Sequence, residues 1–551
     1  MNGQRLSLGE FQPRVSERLD TWQRQDFARR LWNRDFTVWS RRPVPELVDR
    51  LGWLDLPDAM APMAGELTAF AGEVRRTGVT AVVLLGMGGS SLAPEVFQRT
   101  MGHAPGWPPL HVLDSTHPGA VRAIERAVDL PRTLFVVSSK SGTTGETLSF
   151  LRYFWQRLGE TSPVPGSSFI AITDPRTPLE ELARDRSLRR VFSGPPDVGG
   201  RYSALSVFGL VPAALIGIAI GDVIASARTM AAACGATVPV AANPALILGA
   251  AMGELALAGR DKLTFLVTAA LEAFPAWIEQ LVAESTGKNG LGIVPVAGEP
   301  PRQAREYRDD RVFVVMRQHG TPAPALDAFV PALERAGHPV IEITLEDRAS
   351  LAEEFFRWEL ATAAAGAVLG IHPFNQPDVQ VSKDLARQAM DRHDPDGGGA
   401  SPAEGEMIVS HQDLNQAAGA WLAGIGPHDY VAIQAYLEPT ATMTASLQCL
   451  REAVAARTRL ATTVGYGPRF LHSTGQLHKG GPNTGRFLQL VDEPAADLAV
   501  PETTYTFGQL ARAQAIGDLH ALRQRDRRVW RINLGTEGGQ GVKRVVDALL
   551  G

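Results

Sequence analysis

The chain has 551 residues, 44% of them hydrophobic and 21% charged, which suits two to four soluble globular domains. A net charge of −5 argues against nucleic acid or an acidic membrane surface as a partner. The two cysteines, Cys234 and Cys449, give neither a disulfide framework nor a metal-ligand cluster, and the first residues lack an apolar secretory core; both lead us to expect a reducing, cytoplasmic setting.

Residues 1–75 combine charge, tryptophan and helical periodicity, and read as a helical N-terminal arm. From residue 76 the pattern becomes strand, turn, helix. Strands are expected over 81–86, 109–115, 134–139, 167–174 and 189–196, with helices between them. That alternation means a parallel, doubly wound sheet, here assigned to residues 76–242. Residues 202–221 contain no charge, but three glycines and Pro212 interrupt them, so they read as a loop leading into a buried helix rather than a membrane span. The pattern restarts over residues 243–393, with strands near 262–270, 291–296, 312–317 and 339–345 and a helix over 275–287, giving a second α/β domain. A Gly/Pro/Ala-rich stretch at 394–406 reads as a linker. Residues 407–551 form a third, C-terminal α/β region that holds an odd stretch of glycine, threonine, histidine and lysine over 462–485.

Two turns carry the chemistry of the first domain. The strand ending at Val137 breaks into Ser138, Ser139, Lys140, Ser141, Gly142, Thr143 and Thr144, and Glu146 then opens a helix. The first N–H groups of a helix are unpaired and its dipole favours an anion there, so a hydroxyl-rich turn in front of a helix is a place to hold phosphate. The second turn is Gly86-Met87-Gly88-Gly89-Ser90-Ser91, after the preceding strand. With Asp114 ending the next strand, it is a weak match to a dinucleotide fingerprint, because Ser91 occupies the third glycine position. Two hydroxyl-rich turns on neighbouring strands fit one small phosphate better than a nucleotide.

The segments GMGGSSLAP, SSKSGTTGET, GGRYSALS (199–206), EQLVAESTGKNGLGIVP (279–295) and HPFNQPDVQVSK (372–383) occur in this order. Together they resemble the phosphoglucose isomerase family, over roughly residues 80–390. The lead-in and the third region look like the isomerase half of bacterial transaldolase–isomerase fusions, without a transaldolase half. The resemblance implies a pair of sugar-isomerase (SIS) domains. The implied reaction is aldose–ketose isomerisation of glucose 6-phosphate and fructose 6-phosphate through a cis-enediol, with no cofactor and no metal, by a homodimer.

On that resemblance the phosphate cradle is Gly88, Gly89, Ser90, Ser139, Lys140, Ser141, Thr143 and Thr144. Glu284 matches the family's proton shuttle; it sits in the last turn of a helix, whose negative end favours a carboxylate that takes up a proton. Gln280 lies one turn earlier on the same face. Arg201 matches the arginine that stabilises the enediolate, Lys383 the ring-opening lysine and Gln376 its companion. The family's ring-opening histidine reaches its site from a neighbouring subunit and reads H-[SA]-x-x-Q. In its usual interval this chain offers His319, His338 and His372, none in a matching context. The pattern occurs instead at His472-Ser473-Thr474-Gly475-Gln476, so His472 is expected to do the work from a relocated position, with His478 as the alternative. Three other readings stay open: a non-catalytic SIS regulator that binds sugar phosphate, an amide-transferring hexosamine-phosphate synthase, which would need an N-terminal cysteine, and a dehydrogenase.

Overall fold

The structure, a computed structural model, describes residues 3–378, 385, 390, 407–408 and 411–550. Three five-stranded sheets organise it. The first contains β2 (Ala81–Gly86), β3 (Leu110–Leu113), β4 (Thr133–Ser138), β5 (Phe169–Thr173) and β6 (Arg190–Ser193), in the order β3-β2-β4-β5-β6 and all parallel. The runs AVVLLG and TLFVVS are buried along their whole length, as strands covered on both faces must be.

The second sheet contains β7 (Lys262–Val267), β8 (Val294–Val296), β9 (Arg311–Gln318) and β10 (Val340–Leu345), edged by β1 (Gln4–Ser7), in the order β1-β10-β9-β7-β8. β1 runs antiparallel to β10, pairing Gln4 with Ile343 and Ser7 with Val340. The arm read as helical does supply helices, Gln12–Arg24, Phe27–Trp32 and Ala64–Arg76, but it also contributes this edge strand. Four residues without apolar alternation give no strand signal of their own; the exposed edge of β10 supplies the partner.

The third sheet contains β11 (Met407–Ile408), β12 (Tyr430–Tyr436), β13 (Ala461–Tyr466), β14 (Gly485–Val491) and β15 (Arg528–Asn533), in the order β11-β15-β14-β12-β13 and all parallel. Set side by side, the three sheets share one core order. In each, the first strand (β2, β7, β12) lies between the second (β3, β8, β13) and the third (β4, β9, β14), with the fourth (β5, β10, β15) beyond. Only the outermost strand differs. The third region therefore repeats the plan of the first two, which its sequence conceals.

The charge-free stretch at 202–221 holds a helix, Val207–Leu215, whose nine residues are all buried and whose start is capped by the Ser206 hydroxyl accepting from the Phe208 amide at 3.3 Å. Among the described residues no helix is long and apolar enough to cross a membrane. One core joins the first two sheets through the N-terminal helices and the helix Leu351–Leu369. The third sheet has its own core and two seams. Val500 and Phe507 pack on the far face of the first sheet, and Leu477, Tyr430 and Phe487 pack on Ala283 and Val294 of the second. Those seams bring the loop after β13 over the ends of the first two sheets.

Candidate active site

Register places the two turns together: Gly86 pairs with Ser138, so the segments leaving β2 and β4 start side by side. In the turn after β4 the Ser139 and Thr144 hydroxyls are 2.8 Å apart and those of Ser141 and Thr143 are 3.0 Å apart. Thr144 stands at the start of the helix Gly145–Gly159 and makes no side-chain cap bond. The amides of Lys140, Ser141 and Thr144 have no hydrogen-bond partner among the described residues. This is a nest of open donors at a helix start. The Lys140 side chain is engaged elsewhere: its ammonium donates to both Asp174 oxygens, at 2.8 and 2.6 Å, and to the Pro195 carbonyl at 2.9 Å. What Lys140 offers the turn is its amide, not the free charge expected from the sequence.

The turn after β2 is built for close approach. Gly88 has φ +55°, and a Cβ there would lie 2.8 Å from the His472 carbonyl oxygen; one on Gly89 would lie 2.1 Å from the Gly200 carbonyl oxygen. Neither space admits a side chain. The glycines thus let the Ser90 turn touch both the Arg201 loop and the His472 loop.

Gln280 and Glu284 stand one turn apart on the helix Phe274–Thr286. The Gln280 amide donates to Glu284 Oε2 at 3.1 Å and to the His472 carbonyl at 2.7 Å. Arg201, only 3% exposed, brings Nη1 within 3.2 Å of Glu284 Oε1. The rest of its guanidinium is fixed by Ser285 Oγ at 2.7 Å, Gln376 Oε1 at 3.0 Å and the Pro373 and Asn375 carbonyls at 2.6 and 3.0 Å. A buried arginine whose donors are all directed cannot swing, so its charge stays beside Glu284. The 372–376 segment is held in turn by Phe374, packed among Trp39, Trp53 and Tyr202, so the tryptophan-rich arm serves as its seat. Lys288 donates to the His372 carbonyl at 2.6 Å, and burial pushes its ammonium well below the usual lysine range. Lys383 lies outside the described residues.

His472 sits in the turn Arg469–His472 that follows β13. Its Nε2 is 2.9 Å from Glu146 Oε1, which also accepts from Gln514 Nε2 at 2.7 Å; Gln514 accepts from the Thr116 hydroxyl at 2.8 Å. The turn is clamped by Arg469, bonded to Asp114 at 2.9 Å and to Glu95. Gln476, the end of the histidine motif, bonds the Gly287 carbonyl at 2.9 Å and both the amide and the carboxylate of Asp378, at 2.9 and 2.7 Å. One chain therefore supplies every one of these contacts.

None of the other histidines weighed from the sequence contacts Glu284 among the described residues. His478, the alternative from sequence, is buried between the rings of Phe470 and Phe487 with Gln434 3.3 Å from its Nδ1, and burial pushes its imidazole well below the ordinary range. It is core of the third region and does not line the site. His372 accepts from the Phe374 amide at 3.1 Å and holds the Pro45 carbonyl 3.0 Å from its Nε2, and burial lowers its pKa to about 4. Both ring nitrogens are thereby occupied in holding the 372–376 segment. His338 packs on Tyr307 and Phe313. Sequence reading missed Glu146 and Gln514. A first-turn glutamate looks like ordinary helix-dipole compensation, and nothing local ties either residue to His472.

The assembled groups can hold a phosphate, keep a carboxylate beside a fixed positive charge, and offer an imidazole backed by a second carboxylate. The sequence profile described as Phosphoglucose isomerase matches residues 63–292. The glucose-6-phosphate isomerase of Rubrobacter xylanophilus is 31% identical over 399 residues, covering 63% of this chain and 90% of that protein. The probable glucose-6-phosphate isomerase of Haloquadratum walsbyi is 31% identical over 342 residues, covering 56% and 79% respectively. Among solved structures, a hypothetical protein of Thermus thermophilus superposes with a TM-score of 0.61 at 26% identity, covering 70% of this chain and 99% of that one. A glucose-6-phosphate isomerase of Chlamydia trachomatis shares the fold, with a TM-score of 0.53 at 20% identity and 70% and 85% coverage.

Proposed function

The chain belongs to the phosphoglucose isomerase family, and from that premise we propose that Glu284, Arg201 and His472 work together on a sugar phosphate held by the turn 138–144. The reaction is the reversible isomerisation of D-glucose 6-phosphate and D-fructose 6-phosphate through a cis-enediol, a step shared by glycolysis and gluconeogenesis. The remote phosphate anchors the substrate, and that binding energy orients C1 and C2 against the base. His472, backed by Glu146 and joined by Lys383, opens the ring by moving a proton between the ring oxygen and the O1 hydroxyl. Glu284 takes the proton from C2 and returns it to C1. Arg201, fixed 3.2 Å from Glu284, offsets the negative charge that develops on the enediolate oxygens. In this reading residues 76–242 hold phosphate, residues 243–393 supply the base and Lys383, and residues 407–551 supply the histidine.

The observation that carries the reading is the pair of hydrogen bonds donated by the Gln280 amide, which ties Glu284 to the loop bearing His472. It also changes the purpose of a dimer. We retain a homodimer working in the cytoplasm, and on this reading each site draws Glu284 and His472 from the same chain. A coupled assay of fructose 6-phosphate conversion tests the base. Glu284→Gln should keep substrate affinity and lose about 10²–10⁴-fold in kcat, the range for a general base. Full turnover in that variant would remove Glu284 from the mechanism.

A further inference from the structure

A cavity of about 290 Å³ opens at the carboxyl end of the third sheet. It is lined by Tyr436 at the end of β12, Asp492 after β14, Asn533 at the end of β15, Arg512 from the helix Phe507–Gln524, and His117 reaching across from the first sheet. It shares no lining residue with the site around Glu284. It lies between the first and third strands of its sheet, where the strand order reverses and where open parallel sheets bind ligands. Its volume is near the lower end of the roughly 300–1,000 Å³ typical of small-molecule sites.

The charges around it are unevenly satisfied. Glu493 accepts from Asn533 at 3.2 Å, and Asp492 lies 3.3 Å from His117 Nε2 without a hydrogen bond between them. Asp497 accepts from the Leu498 and Gly508 amides and the Thr506 hydroxyl, at 2.7, 2.8 and 2.6 Å. Donors are left over. The Tyr436 hydroxyl has no partner among the described residues although the residue is only 5% exposed, and neither has the Arg512 guanidinium. A buried hydroxyl without a partner has lost its water and gained nothing in return, so the wall asks for an acceptor. The buried guanidinium of Arg531 adds a second positive charge to the same wall.

We propose that this cavity is a second ligand site, for a small oxyanion-bearing metabolite, phosphate or carboxylate, gripped by Arg512 and the Tyr436 hydroxyl. Equilibrium dialysis with inorganic phosphate tests it. The wild type should bind two phosphates per chain. Fructose 6-phosphate should displace one of them, from the catalytic cradle, and leave the other. Arg512→Ala and Tyr436→Phe should each abolish the second while isomerase turnover is retained. Succinate, a small dicarboxylate, separates the sources: displacement of the Arg512-dependent phosphate marks a general oxyanion site, phosphate without succinate a phosphate site, and succinate without phosphate a carboxylate site. A wild type that holds only the phosphate displaced by fructose 6-phosphate and takes up no succinate, or extra binding that survives Arg512→Ala, would overturn the proposal. Because binding is read directly, loss of the isomerase reading would leave this test intact.

Discussion

The first and third sheets follow the same strand order, yet they finish the gap between first and third strands in opposite ways. After β4 the chain makes a glycine and hydroxyl turn, and Thr144 leaves the following helix uncapped. After β12 comes Leu437-Glu438-Pro439-Thr440, and the Thr440 hydroxyl caps its helix by accepting from the Met443 amide at 3.1 Å. The helix after β14 is closed more fully, by a reciprocal capping box between Thr506 and Gln509. Strand order therefore chooses where a ligand can sit, and helix capping chooses its chemistry. On the proposed reading, an unfinished helix start is what would accept phosphate, whereas a finished one would leave recognition to side chains such as Arg512 and Tyr436.

Finishing the first helix should break the difference outright. Thr144→Asp supplies a cap and a favourable dipole partner, together worth about 0.5–1 kcal/mol of stability. It also sets a carboxylate against the substrate phosphate, a repulsion of about 4 kcal/mol at roughly 4 Å and an effective dielectric near 20. The variant should melt slightly higher and lose about 10³-fold in kcat/KM, seen by pairing thermal denaturation with the isomerase assay. Unchanged kcat/KM would mean that the phosphate binds elsewhere.

The next largest effect concerns what the third sheet gives to the first. His472→Ala should lower turnover about 10²–10⁴-fold. Because His472 meets Glu146 and Gln280 of its own chain, mixing His472→Ala with Glu284→Gln should restore nothing. Recovery toward a quarter of wild-type activity on mixing would show that the histidine is exchanged between subunits.

Glu279 probes the seam on which that gift depends. It lies on the helix Phe274–Thr286, with Arg451 and Arg469 of the third region as its charged neighbours. Burial raises its pKa to about 7 despite those arginines. The folded chain therefore binds more protons than the unfolded one between about pH 4.5 and 7, and stability falls as pH rises through that window. The shift bounds the loss at about 3 kcal/mol, at 1.36 kcal/mol per pKa unit. Glu279→Gln should flatten the wild-type decline in Tm between pH 5 and 7.5; parallel curves would place the titration elsewhere.

What the sequence disclosed follows the range of the interactions involved. The strands of the first two sheets, the edge strand β1 apart, were legible because they are short, largely apolar runs between turn residues. Glu284, Gln280, Arg201 and Gln376 were legible because they lie in motifs that keep their spacing. β13 was hidden inside a stretch whose glycines and threonines look like loop, and its burial against β12 makes it a strand. The helix Phe507–Gln524 was overlooked although Thr506-x-x-Gln509 before an apolar residue is a capping-box signature. Glu146 and Gln514 could not be found locally, since the bond from His472 to Glu146 spans 326 residues of chain and that from Gln514 to Glu146 spans 368. Lys140 was misjudged because a motif records that a lysine is present, and only the fold shows that Asp174 holds it.

The smallest test returns to the capped helix of the third sheet. If Thr440 only closes a helix start, Thr440→Ala should cost about 1 kcal/mol, the usual loss for an N-cap hydroxyl. Isomerase activity should be untouched, because that helix start faces no substrate in the proposed mechanism. The contrast with Thr144 is then direct: each threonine stands at a helix start beside the gap between first and third strands, Thr144 after the third strand without a cap bond and Thr440 after the first with one. Urea denaturation beside the isomerase assay reads both quantities. A Thr440→Ala chain that keeps its stability but loses turnover would show that the third sheet reaches the reaction by a route other than His472.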